Sequence, residues 1–197
     1  MSRALLQAAE KGDLGKVQQL LAQGVDVDFI HKPTGRTPLI QAAISGHCDV
    51  AKALIQAGAN VNHQDTAVEF TALMWACCEG HLPLVELLIS AQADVNSRDP
   101  EFGWTPLLVA AQAGSQAIVQ KLLDAGADPN ETSAQGETAL MTASRTGKVA
   151  AIHELLKRGA KPNLAEPRTG HDARLRSPGF AARPSGRRGS QHRHEHG

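Results

Sequence analysis

At 197 residues and 42% hydrophobic content the chain has ample material for a core, but with aromatics at 3% that core must be built from Ala, Leu, Ile and Val. Such side chains suit closely packed helices and argue against a sandwich or barrel. The zero net charge is unevenly placed: residues 1–163 carry 13 Lys+Arg against 17 Asp+Glu, and residues 164–197 carry 7 Arg against 3 acids.

Residues 5–24 predict two short helices broken at Gly12, with no turn and no Thr-Pro in front of them. An atypical opening unit suits a stack of repeats where its outer face meets water. From there a beat sets in at Thr37, Thr71, Thr105 and Thr138, at intervals of 34, 34 and 33 residues. Each Thr is placed to cap a helix, its hydroxyl taking an orphan backbone N–H. Pro38 and Pro106 stand at the first helical position, where a missing N–H costs nothing. Behind the first cap come Leu39, Ala42 and Ala43, then a break at Gly46-His47, then Val50, Leu54 and Ile55 up to Gly58. The third unit repeats this with Leu73, Ala76-Cys77, Gly80-His81, Val85 and Leu88, but Gln92 replaces the closing Gly. The fourth runs from Leu107 to Gly126 and the fifth from Leu140 to Gly159, so five helix pairs are predicted.

Between the pairs lie connectors such as Ala59 to Asp65 and Ala93 to Asp99, too short and too rich in Asn and Asp for further helices, which read as extended turns. With Thr-Pro-Leu, Ala-Ala, Gly-His and Gly-Ala-Asn-Val-Asn strings in this order, the sequence resembles the ankyrin-repeat family. The match covers about residues 3–163, as repeats at about 3–29, 34–63, 68–97, 102–130 and 135–163. The resemblance implies an all-α solenoid of stacked helix-turn-helix units joined by extended turns, serving as a protein-interaction module. Two departures stand out: one extra residue before Thr37, Thr71 and Thr105, and Glu69 where a turn Gly is usual.

In that family the residues before the Thr cap and at the end of the first helix line a concave, protein-binding surface. By register the turn positions are Arg36, Val68, Phe70, Phe102 and Trp104. The helix-end positions are Ile44, Ser45, Cys78, Glu79, Gln112, Ala113, Arg145 and Thr146. Four of the six aromatics, Phe29, Phe70, Phe102 and Trp104, fall in or next to connectors. Exposed there, they would form a ladder of rigid anchors of the kind that dominates binding hot spots; folded back, they would form a small satellite core. Trp75, inside a first helix, reads as packing, and His47 and His81, at the inter-helix bends, read as local hydrogen-bonding groups. Asn62, Asn96 and Asn130 follow Leu54, Leu88 and Leu122 at a spacing similar to the substrate pattern of the asparaginyl hydroxylase that acts on ankyrin repeats, with Asn96 the closest match. Their plain role is to bridge the turn backbone.

Cys77, Cys78 and His81 do not read as a metal site, because adjacent helical residues point about 100° apart and a ligand four positions on does not complete a tetrahedron. No phosphate-binding loop, H-E-x-x-H, G-x-S-x-G or dinucleotide fingerprint is present, so neither catalysis nor a cofactor is expected. Three cysteines without a CxxC pair argue for a reducing compartment, and no 18-residue apolar run argues for a membrane span. The expectation is a monomer of the cytoplasm, and also of the nucleus, that binds a protein.

After Asn163 the composition turns to Arg, Gly, Pro, Ser and His and cannot bury enough to order itself. Arg168 to Leu175 resembles the opening of a sixth turn before the pattern fails, as if the array were cut short, which would leave parts of Ile152, Leu155 and Leu156 exposed. His192, His194 and His196 offer at most weak metal binding, and the seven arginines at most weak nucleic-acid or acidic-surface binding. The rival readings are therefore a regulatory or targeting subunit of an enzyme complex, or a binder working through its basic tail.

Overall fold

A computed structural model describes residues 2–162, which form ten helices and no strand. They fall into five pairs: α1 (Ser2–Lys11) with α2 (Leu14–Ala22), α3 (Pro38–Ser45) with α4 (Cys48–Gln56), α5 (Ala72–Glu79) with α6 (Leu82–Ser90), α7 (Pro106–Ala113) with α8 (Gln116–Asp124), and α9 (Ala139–Arg145) with α10 (Val149–Lys157). The readings of the tail, including its histidines, arginines and sixth turn, lie outside the described residues.

Each Thr of the beat does what its chemistry predicts. The hydroxyls of Thr37, Thr71, Thr105 and Thr138 accept from the N–H of Ile40, Met74, Leu108 and Met141 at 3.4, 3.2, 3.3 and 3.2 Å. Helices α3, α5 and α7 then end on glycines in the left-handed region, Gly46, Gly80 and Gly114. A helix of eight residues is marginal alone, so these pieces depend on packing.

Among the described residues the main packing runs between neighbours. α1, α3, α5, α7 and α9 pack in sequence as one layer, and α2, α4, α6, α8 and α10 as a second. Ala42, Ala76, Ala110 and Ala143 are fully buried, and their small side chains let consecutive helices approach closely. The second layer contributes Leu54, Leu88, Leu122 and Leu155, also fully buried. Leu155 corrects the expectation that part of it would be exposed: α10 packs on both α8 and α9 and turns that side chain inward. Leu156 beside it is 44% exposed and, with Leu140, Met141 and Ile152, lines an apolar groove. No described helix is long and apolar enough to cross a membrane.

The extra residue read before three of the Thr caps shows in how the turns close. His31 N–H donates to Arg36 O (2.9 Å), Asp65 N–H to Phe70 O (3.0 Å) and Asp99 N–H to Trp104 O (3.1 Å), whereas Ser133 N–H reaches only as far as Glu137 O (2.9 Å).

Two residues carry backbone strain. Glu69, at φ 56°, and Gln92, at φ 62°, occupy the left-handed region that glycine fills at the equivalent points of other units, such as Gly103 and Gly58. A Cβ there crowds the following carbonyl, at a cost of about 1–2 kcal/mol per residue. Glycine relieves the clash but loses more backbone entropy on folding, so Glu69→Gly and Gln92→Gly should each stabilise by about 0.5–1 kcal/mol. The measurement is the urea midpoint, which rises in each variant; a lower midpoint would mean that the strain is offset by contacts of the native side chain.

Candidate partner-binding surface

The turn tips are held by side chains that fold back under them. Asp65 is 1% exposed. Its Oδ1 accepts from the N–H of Val68 (3.1 Å) and Phe70 (3.3 Å), and its Oδ2 from the Trp75 indole (3.0 Å) and from Arg36 Nε (3.4 Å) on the preceding turn. The Arg36 guanidinium also lies 4.9 Å from the Trp75 ring centroid, over its face. Phe70 meets Trp75 edge-on with centroids 5.7 Å apart. Asp99, 2% exposed, holds the next turn the same way, its two oxygens accepting from Phe102 N–H and Trp104 N–H at 2.7 Å each. In the last described turn Ser133 Oγ takes the role, accepting from Gln135 and Glu137 N–H at 3.2 Å each.

These bonds decide which aromatics face out. Phe70 and Trp104 are 5% and 4% exposed, so the open ladder of anchors is corrected at both positions. Each directly precedes a Thr cap and is pinned through both its N–H and its carbonyl to the turn-closing aspartate, which directs the side chain into the core. Phe102 and Phe29 remain half-buried, Val68 is 37% exposed, and Trp75 packs as expected. Sequence reasoning missed Asp65 and Asp99, although an aspartate recurring 34 residues apart was the available signal.

The helix-end positions line the same run of units. Ile44, Ser45, Cys78, Gln112 and Thr146 are half-buried, while Glu79, Ala113 and Arg145 are exposed. Arg145 Nε pairs with Glu137 at 2.8 Å, and Thr146 Oγ1 donates to the Thr142 carbonyl at 2.8 Å. Burial, and then the Glu79 charge, pushes the Cys78 thiol up to about 11, and burial raises Cys77 further, so both stay protonated thiols at neutral pH. His81 Nε2 stands 3.4 Å from Ile44 O and His47 Nε2 3.1 Å from Glu10 O, so both rings tie consecutive pairs together. No three His, Cys, Asp or Glu among the described residues could hold a metal ion.

The asparagines divide. Asn62 Oδ1 accepts from Asp94 N–H (2.9 Å) and Asn130 Oδ1 from Lys161 N–H (2.8 Å), bridging one connector to the next. Asn96 is exposed, and its backbone N–H donates to Asp94 Oδ1 at 2.9 Å, while among the described residues its side chain makes no hydrogen bond.

Removing the buried carboxylate leaves several donors unpaired at once. Asp65→Ala, which strips two backbone N–H groups, the indole and Arg36 of their acceptor, should cost about 3 kcal/mol in urea unfolding. Ser133→Ala, with only neutral bonds lost, should cost about 1 kcal/mol. Equal losses at the two sites would contradict the charged closure of the turn.

The family model for ankyrin repeats (3 copies) matches residues 5–99 and again 93–166. No curated protein matches the chain. Ankyrin repeats are generally protein–protein interaction modules and typically non-catalytic. With Thr-capped helix pairs stacked at the spacing of its beat and the family model spanning most of its length, the chain belongs to the ankyrin-repeat family.

Proposed function

We propose that this chain is a non-catalytic adaptor that binds a protein partner across its turn tips and the ends of its inner helices. The observation that carries this reading is the closure of the tips on buried Asp65 and Asp99, which presents Val68 and Phe102 from fixed backbone. A partner meeting a preorganised surface orders little on this side, so more of the contact energy appears as affinity. Arg36, Ile44, Cys78, Glu79, Gln112 and Arg145, at the turn and helix-end register positions and all half-buried or exposed, complete the proposed surface. Phe70 and Trp104 are buried and belong to the core rather than to this surface. The three free cysteines suit a cytoplasmic or nuclear setting, where thiols stay reduced.

The test separates surface from core. Phe102→Ala with Val68→Ser should weaken binding by about 2 kcal/mol or more while lowering stability by less than Trp104→Ala does, because Phe102 is only partly buried against the core. Trp104→Ala should instead cost about 3 kcal/mol of stability. Titrating the partner recovered by affinity capture against each variant reads both; unchanged affinity in the Phe102/Val68 double variant would sink the proposal.

One observation favours a second property of the same units. Among the described residues the Asn96 amide makes no bond to the next connector, unlike those of Asn62 and Asn130, so it enters an enzyme site without breaking such a contact. Asn96 is therefore the preferred hydroxylation site, ahead of Asn62 and Asn130. Intact-mass and peptide analysis after co-expression with the asparaginyl hydroxylase should find one added oxygen at Asn96 first; modification of Asn62 ahead of it would reject that order.

A further inference from the structure

Four seams join the five helix pairs, and three kinds of directional contact recur at them. Along the connectors, a side chain accepts from the backbone of the next unit: Asp28 from Asn60 N–H, Asn62 from Asp94 N–H and Asn130 from Lys161 N–H, at 2.9, 2.9 and 2.8 Å. At the bends after the first helices, a side chain of the next unit closes over a glycine. A Cβ at Gly12 would lie 2.6 Å from the His47 ring and one at Gly46 2.8 Å from the His81 ring, while Gly114 is covered by the Lys148 stem. Between turns, Thr66 N–H donates to Thr34 O (3.0 Å) and Ala134 N–H to Phe102 O (2.8 Å).

At the seam between the third and fourth pairs all three are missing. Pro100 stands in register with Thr66 and Ala134 and has no N–H to give to Val68 O. Ser115 stands in register with His47 and His81, and nothing lies within 4 Å of a Cβ built at Gly80. Among the described residues, no bond joins Asp128 N–H to Asn96. The connector across this seam also begins at Gln92, the strained residue that replaces a closing glycine.

Other contacts cross the seam. Gln64 Nε2 donates to Arg98 O (2.9 Å), and Lys121 pairs with Glu86 (2.8 Å) with both side chains nearly half exposed, a pair that solvent screens heavily. Beside these, α5 packs on α7 and α6 on α8. The apolar driving force is non-directional, so helix packing without these hydrogen bonds and ring contacts resists a small change of angle less than the other seams do.

We propose that the stack hinges at this seam, with the first three pairs as one body and the fourth and fifth as another. The inference stands apart from partner binding and needs no partner for its test. It has a consequence for the surface all the same, because Val68, Cys78 and Glu79 lie on one side of the hinge and Phe102 and Gln112 on the other. Hinging changes the spacing between the two apolar tips.

Native-state hydrogen exchange on the full chain, read by peptide mass spectrometry at low urea, tests it. The amides of α7 to α10 should exchange as one unit, with a step in rate of at least about tenfold at the seam. Ser115→His, which returns a ring over Gly80 and a donor for Cys78 O, should slow exchange across α7 to α10 by about tenfold, and Pro100→Ala should act in the same direction. His47→Ser should instead open a new step between the first and second pairs. A single cooperative unit with no step, or a step that neither Ser115→His nor Pro100→Ala reduces, would overturn the hinge.

Discussion

A carboxylate buried beneath its own turn is what converts this stack of short helices into a surface. Asp65 and Asp99 each draw two backbone N–H groups of the tip onto themselves, and Asp65 also takes the Trp75 indole and the Arg36 guanidinium. Burying a carboxylate is costly unless its lone pairs are filled, and here they are filled from the segment that must be held still. The same bonds close the turn, tie it to the preceding turn through Arg36, and choose which aromatic goes inward.

The fold was legible because its cause is periodic. A Thr cap, an Ala followed by another small residue and a Gly break recurring every 33 or 34 residues can be read as helices from local chemistry alone, and even the one-residue difference in turn length could be counted. Side-chain direction at the tips could not. Phe70 and Trp104 sit immediately before a cap, and their burial is decided by an aspartate five residues upstream whose role appears only once the turn is closed. Leu155 and Leu156 pose a similar problem, since adjacent helical positions face about 100° apart and only the packing of α10 on α8 and α9 says which one is inside.

The seams show the reverse case, where register in the sequence carries more than any single residue. Pro100 and Ser115 look unremarkable one at a time, and become informative only when aligned with Thr66 and Ala134, or with His47 and His81. The Asn96 contact could not have been anticipated, because the same residue type bonds at positions 62 and 130 and fails at 96. Rigid tips and a soft seam are compatible, because the tip is fixed within one unit whereas the seam concerns the angle between two. A partner spanning the third and fourth pairs would meet firm anchors at an adjustable spacing.

The central claim is that the tips are fixed before any partner arrives. Backbone 15N relaxation on the full chain tests it most directly, at the amides of Phe102, Gly103 and Trp104 and, for comparison, of Val109 in α7. The account predicts order parameters at the tip close to the helical value of about 0.85, because Asp99 holds three of the turn's N–H groups through its side chain and carbonyl. Tip values below about 0.6, with Val109 still rigid, would contradict it.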